Sequence, residues 1–192
     1  NVEAGDGYFG FAGASHDPSH KLMTWAADRQ GSEYYTIHIR DLATGQEIAD
    51  RIERTAGDGV WSADSRSLYY TEIDDNHRPF RVRRHDLGTP QADDAIIYEE
   101  ADPGFFVSVD KTLSDKFIVI DAHDHQTSEV WLIDALNGGE PFVVSKRQLE
   151  REYDVDEREG DLFILTNADG AEDFKIVTAP VATPGSEHWT DL

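Results

Sequence analysis

The sequence predicts an all-β fold in which one unit of strands is repeated four times along the chain. A first set of apolar segments begins at residues 21, 67, 116 and 161, so its members are 46, 49 and 45 residues apart. In a second set, Asp41, Asp86, Asp134 and Pro180 hold the same place and are 45, 48 and 46 residues apart. Two independent landmarks therefore share one period.

The segments have the character of strands. They are runs rich in Val, Ile, Tyr, Phe and Thr, bounded by Asp, Gly, Ser and Pro. Ile37 and Ile39 alternate with polar neighbours, which is the period of a strand with unlike faces. A shorter apolar segment precedes each member of the first set, at residues 8–12, 59–62, 105–109 and 152–155. A candidate for a fourth strand follows three members of the second set, at residues 46–49, 95–98 and 141–144.

Four strands in each repeat of this length are typical of a β-propeller blade. We therefore predict a β-propeller fragment of about four consecutive four-stranded antiparallel blades, over residues 8–52, 59–99, 105–145 and 151–190. A β-sandwich would explain the short strands but not their fourfold alignment. A blade buries its faces against its neighbours, so an open arc has two uncovered faces. We expect the isolated chain to associate with itself through them, or to be less stable than the complete propeller.

Composition excludes several classes of partner. The chain has 39 acidic and 17 basic residues, a net charge of −22, which disfavours binding to nucleic acid. Its 39% of hydrophobic residues is enough for a globular core. The apolar runs are too short to span a membrane. The absence of cysteine does not distinguish a cytoplasmic protein from a periplasmic one. We expect a cytoplasmic protein, with a periplasmic location as the alternative.

The sequence offers no catalytic constellation. No serine lies in a Gly-x-Ser-x-Gly turn, and adjacent side chains such as those of Ser15, His16 and Asp17 cannot assemble a catalytic relay. The pair His123 and His125 lacks a third ligand with zinc spacing. We therefore expect no catalytic residue, no metal and no cofactor in this chain.

Acidic residues concentrate in the loops between the second and third strands of each unit, which we call the B–C loops. In a propeller these loops open on the same side as the crossings between blades. Each acidic residue taken singly is explained by solvation, but together they would attract cationic ligands. They are Asp28, Glu33, Asp74, Asp75, Asp124, Asp169, Glu172 and Asp173.

Several segments carry a resemblance to a known family. They are residues 28–35, 40–45, 60–64, 75–79, 102–107, 128–134 and 165–170. Together they resemble the propeller of the oligopeptidase B (protease II) branch of the prolyl oligopeptidase family of serine peptidases, in order along all 192 residues. The resemblance implies a seven-bladed parent propeller with unclosed ends. It also implies that a following α/β-hydrolase domain, absent from this chain, carries the catalytic triad and the acidic residues that select Arg or Lys.

The resemblance further implies a function for the chain. In this family the propeller caps the active site, admits short peptides and turns its B–C loops toward the catalytic cavity. Glu33 matches an acidic position that lines this cavity or pairs across the domain interface, and His77, Arg78, Asp124 and Glu172 lie on corresponding loops. The expected partners are short, basic peptides and the hydrolase domain of the same polypeptide. The alternative is a non-catalytic propeller that serves as a protein-binding scaffold.

Overall fold

A computed structural model describes residues 7–192 as an all-β chain of antiparallel sheets. The chain divides into two compact units, residues 1–101 and 102–192. Within residues 7–192, no helix is long and apolar enough to cross a membrane.

Eight strands form the first unit. They are β1 (Gly10–His16), β2 (Leu22–Asp28), β3 (Tyr35–Asp41), β4 (Glu47–Thr55), β5 (Val60–Trp61), β6 (Ser67–Ile73), β7 (Pro79–Asp86) and β8 (Ala95–Glu99). The main order of the sheet is β1-β2-β3-β4-β6-β7-β8, with β5 paired to β6. A single residue pair, Thr55 with Glu72, joins β4 to β6. The first two strand groups are thus connected by hydrogen bonds into one sheet.

The second unit contains two separate four-stranded sheets. The first holds β9 (Phe106–Lys111), β10 (Phe117–His123), β11 (Ser128–Asp134) and β12 (Gly138–Val143). The second holds β13 (Tyr153–Arg158), β14 (Asp161–Thr166), β15 (Lys175–Pro180) and β16 (Thr190–Asp191). In both sheets, strands adjacent in sequence are adjacent in space, which is the up-and-down order expected of propeller blades.

Each unit has a core made by the apolar positions of its strands. In the first unit Ile37 and Ile39 are fully buried, whereas His38 between them is half-buried, so the predicted alternation is real. They pack with Ala26, Ile52, Trp61, Leu68 and Tyr70. The core of the second unit comprises Val130, Leu132, Val144, Tyr153, Leu162, Ile164, Val177 and Ala179.

A buried polar residue opens the turn between the first and second strands of every group. Asp17, Ser62, Thr112 and Glu157 are each at most 6% exposed. Their side chains accept hydrogen bonds from backbone amides of the turn, for example Leu22 to Asp17 at 2.7 Å and Gly160 to Glu157 at 2.6 Å. Burial alone would raise the pKa of Asp17, but hydrogen bonds from the side chains of Ser19 and Ser65 and from the turn's backbone amides outweigh burial and lower the pKa.

The first strand differs most from its prediction. The sequence predicts it at residues 8–12, whereas β1 runs from Gly10 to His16 with an irregularity between Phe11 and Gly13. Small residues give this segment little intrinsic strand preference. Its length is set by pairing with β2, from Gly10 opposite Asp28 to His16 opposite Met23.

Candidate functional site

The first B–C loop is built around the buried carboxylate of Asp28. It accepts hydrogen bonds from the amides of Gln30 and Glu33, both at 2.8 Å, and from the Ser32 hydroxyl at 3.2 Å. Burial alone would raise the pKa of Asp28, but the hydrogen bonds outweigh burial and lower the pKa. Asp28 therefore holds the loop in shape and does not offer its charge to a ligand.

The loop ends on Glu33, whose backbone is in the left-handed region at φ 61°. Its side chain is 80% exposed, and one oxygen lies 4.0 Å from Nδ1 of His77, beyond hydrogen-bond distance. His77 occupies the corresponding place in the second B–C loop, with φ 62°. The structure therefore brings together two residues that the sequence places on separate loops.

Three further side chains complete what we call the Glu33 cluster, made of Glu33, Tyr34, Arg54, Asp75 and His77. The ring of Tyr34 lies 4.4 Å from the ring of His77, and its hydroxyl donates to the carbonyl of Asp74 at 3.0 Å. Tyr34 thus fixes one B–C loop against the other.

Arg54, which ends its strand group just before the crossing to the next, closes the other side of the cluster. Its guanidinium lies 4.5 Å from the ring of Tyr34 and 2.6 Å from Asp75. Tyr34 and Arg54 are not among the site residues predicted from the sequence. The available signals were an aromatic residue directly after a B–C loop and an arginine at a crossing.

Arg78 follows His77 but points into the protein's own structure. Its Nε lies 3.4 Å from an oxygen of Asp74, and its Nη2 lies 3.5 Å from the carbonyl of Glu100. Its side chain is only 16% exposed. Arg78 thus connects two ends of the second strand group.

Asp124 and Glu172 belong to the second unit. Asp124 accepts hydrogen bonds from the amides of Gln126 at 2.8 Å and Thr127 at 2.7 Å, so it closes its own loop. Glu172 is exposed and has no ion pair among residues 7–192.

Asp124 also lines a cavity of about 330 Å³ with His123 and Asp121. Nδ1 of His123 lies 3.0 Å from an oxygen of Asp121, and this carboxylate raises the pKa of His123. The strand alternation of β10 puts both side chains on one face of the sheet.

The chain is similar to known proteins over nearly its whole length. The family model for the prolyl oligopeptidase N-terminal β-propeller domain matches residues 1–192. Dipeptidyl aminopeptidase BI of Pseudoxanthomonas mexicana is 35% identical over 189 residues, which are 98% of this chain and 26% of that protein. Protease 2 of Moraxella lacunata is 34% identical over 165 residues, 84% of this chain and 24% of that protein.

Solved structures of oligopeptidase B have a similar fold. Oligopeptidase B from Leishmania major matches with a TM-score of 0.90 and 31% identity, over 96% of this chain and 26% of that one. Oligopeptidase B from Trypanosoma brucei, in a closed form with covalently bound antipain, matches with a TM-score of 0.85 and 28% identity, over 92% and 25%. The chain spans about a quarter of the length of these relatives. The chain belongs to the prolyl oligopeptidase family, as part of its N-terminal β-propeller domain.

Proposed function

We propose that this chain is the substrate-filtering part of a serine endo-oligopeptidase that cleaves short peptides after basic residues. The catalytic triad would lie in an α/β-hydrolase domain elsewhere in the complete polypeptide, so the 192-residue chain alone is inactive. We place the complete enzyme in the cytoplasm. Membership in the prolyl oligopeptidase family and the match to oligopeptidase B structures support this proposal.

The main support for this proposal is the solvent-exposed carboxylate of Glu33. Its backbone is held by the 2.8 Å hydrogen bond from its amide to Asp28, while its carboxylate is 80% exposed. A backbone fixed in this way loses little conformational freedom when a ligand binds to the side chain. Among the proposed site residues, Glu33 is the one best placed to attract the cationic side chain of a basic peptide.

The experiment compares the complete enzyme with its Glu33→Gln variant on two peptides that differ only in arginine or the uncharged citrulline. We expect kcat/KM for the arginine peptide to fall about fivefold, since an exposed charge contributes up to roughly 1 kcal/mol. The citrulline peptide should be unaffected. The matched control is Glu53→Gln, which removes another exposed carboxylate, on β4.

An equal loss on both peptides would show that Glu33 supports the fold rather than the charge of the substrate. The location of the triad has a separate test. Cleavage of the arginine peptide by the 192-residue chain alone would overturn the assignment of catalysis to another domain.

A further inference from the structure

The second unit has a cavity of about 510 Å³ beside its last sheet. Its walls come from the segment before β13, from the loop after β14 and from the end of the chain. Among the residues that line it are Glu150, Arg151, Asp169, Trp189 and Asp191.

Arg151 is a buried cation that lines this cavity. The residue is 7% exposed, and its Nη2 donates to the hydroxyl of Ser145 at 2.8 Å and the carbonyl of Lys146 at 2.5 Å. Its Nε is buried and has no acceptor. Within residues 7–192 it forms no ion pair, and burial lowers the pKa of Arg151.

Another largely buried arginine, Arg83, forms an ion pair with a carboxylate. Arg83 has a side chain that is 20% exposed, and its Nε lies 2.5 Å from a carboxylate oxygen of Glu72. Removing a charge from water is costly unless an opposite charge compensates it. Arg151 is less exposed than Arg83 and forms no ion pair within the described residues, although its guanidinium lies 5.7 Å from the ring of Tyr153 and 5.3 Å from that of Trp189.

The acidic residues around the cavity divide into two kinds. Asp169 and Asp191 are already paired, because Nζ of Lys175 lies 3.2 Å from the first and 2.8 Å from the second. Glu150 is exposed, and its carboxylate has no ion pair in the part of the chain that the structure describes. The amide of Glu150 donates to the Thr127 hydroxyl at 3.1 Å, which anchors its backbone.

Among residues 7–192, the cavity therefore presents one cation and one anion, on neighbouring residues, that form no ion pair. We propose that it binds the C-terminal residue of a peptide ending in lysine or arginine, with the terminal carboxylate at Arg151 and the cationic side chain at Glu150. Its volume lies within the range of small-ligand sites, about 300 to 1,000 Å³. Cleavage after basic residues produces such peptides, so the natural source of the ligand, but not its binding, rests on the proposed function.

Three small ligands test separately the contributions of the terminal carboxylate and the side-chain ammonium group to binding. Nα-acetyl-lysine carries both the carboxylate and the ammonium group, Nα-acetyl-lysine amide carries only the ammonium group, and Nα-acetyl-norleucine carries only the carboxylate. We expect Nα-acetyl-lysine to bind at least about tenfold more tightly than either of the others. NMR titration of the protein measures this directly through the Nε–H resonance of Arg151.

Two variants assign the charges to residues. Arg151→Gln should weaken Nα-acetyl-lysine at least about tenfold, and Glu150→Gln should reduce it to the affinity of Nα-acetyl-norleucine. The matched control is Arg158→Gln, which removes an exposed arginine of the same unit. If Arg151→Gln does not fold, the three probes on the unmodified protein still decide.

Equal binding of Nα-acetyl-lysine and its amide, or unchanged binding to a folded Arg151→Gln variant, would overturn the proposal. No peptide bond is cleaved in these titrations. Their failure would therefore leave the proposed peptidase function standing, and failure of the Glu33 experiment would leave this site standing.

Discussion

Nδ1 of His85 lies 2.8 Å from a carboxylate oxygen of Asp94, and both side chains are almost completely buried. The other ring nitrogen lies 3.1 Å from Asp50, which belongs to β4. Asp94 also accepts a hydrogen bond from the Tyr70 hydroxyl at 2.8 Å. Because His85 belongs to β7, this buried network links the strands of the first and second groups.

This network makes stability depend on pH. Burial alone would lower the pKa of His85, but hydrogen bonds to Asp94 and Asp50 outweigh burial and raise the pKa. His85 therefore contributes stability that is complete below its unfolded pKa of about 6.5 and is lost as the pH rises through its folded pKa. We expect the free energy of unfolding in urea to fall as the pH rises above about 6.5.

The His85→Gln variant isolates this contribution. It should cost about 3 kcal/mol at about pH 6, since it leaves two buried carboxylates without their partner, and its stability should vary less with pH. His123, whose pKa Asp121 raises, is present in both proteins, so it cancels in the comparison. His188→Gln, at an exposed histidine, is the control. An identical pH profile for His85→Gln and the unmodified protein would refute the link.

Removing the carboxylate that organises the first B–C loop should destabilise the protein. Asp28→Ala leaves the amides of Gln30 and Glu33 without acceptors, so we expect a loss of about 2 kcal/mol in urea unfolding. Because the pKa of Asp28 is lowered, its contribution is present above an unfolded pKa of about 3.9 and is lost as the pH falls through the folded pKa. Asp93→Ala, at an exposed carboxylate, should change stability by less than about 0.5 kcal/mol.

The hydroxyl of Tyr153 should contribute measurably to the free energy of unfolding. It accepts a hydrogen bond from the amide of Val130 at 2.9 Å and donates to the carbonyl of Ser145 at 2.5 Å. Burial raises the pKa of Tyr153 to about 12. Tyr153→Phe should lower the free energy of unfolding by about 2 kcal/mol, and the exposed Tyr8→Phe should change it little. Equal effects of the two substitutions would contradict this account.

The uncovered face of the last sheet should mediate association of the 192-residue chain. Leu165 and Ile176 are paired across β14 and β15, and they are 44% and 46% exposed. We expect sedimentation velocity over a concentration series to show self-association, and the double variant Leu165→Glu, Ile176→Glu to be monomeric. The control is Leu113→Glu, which changes a leucine that is 90% exposed. A monomeric unmodified chain would contradict the prediction.

Much of the strand pattern could be predicted because strand preference and alternation are local properties. The second strand of every group begins within one residue of the predicted position, as β6 does at Ser67 and β14 at Asp161. β1 was placed too early because its small residues carry no such signal. The single Thr55 and Glu72 pair between two strand groups also has no sequence signature.

The candidate site could be predicted only as a set of loops. Acidic residues in the B–C loops suggested a charged surface, yet Asp28 and Asp124 hold their own turns and Arg78 binds its own loop. Which carboxylates remain available depends on hydrogen bonds within each turn. Glu33 is exposed because Asp28 accepts from its amide and turns the chain outward.

The sequence by itself determined the repeat, the all-β class and the family, because each depends on residue order and on patterns that recur along the chain. Only the tertiary structure decided which charges meet. It set Glu33 beside His77, enclosed His85 between Asp50 and Asp94, and left Nε of the buried Arg151 without an acceptor among residues 7–192. These relations join positions up to 44 residues apart along the chain, where distance is set by strand pairing and packing rather than by local preference.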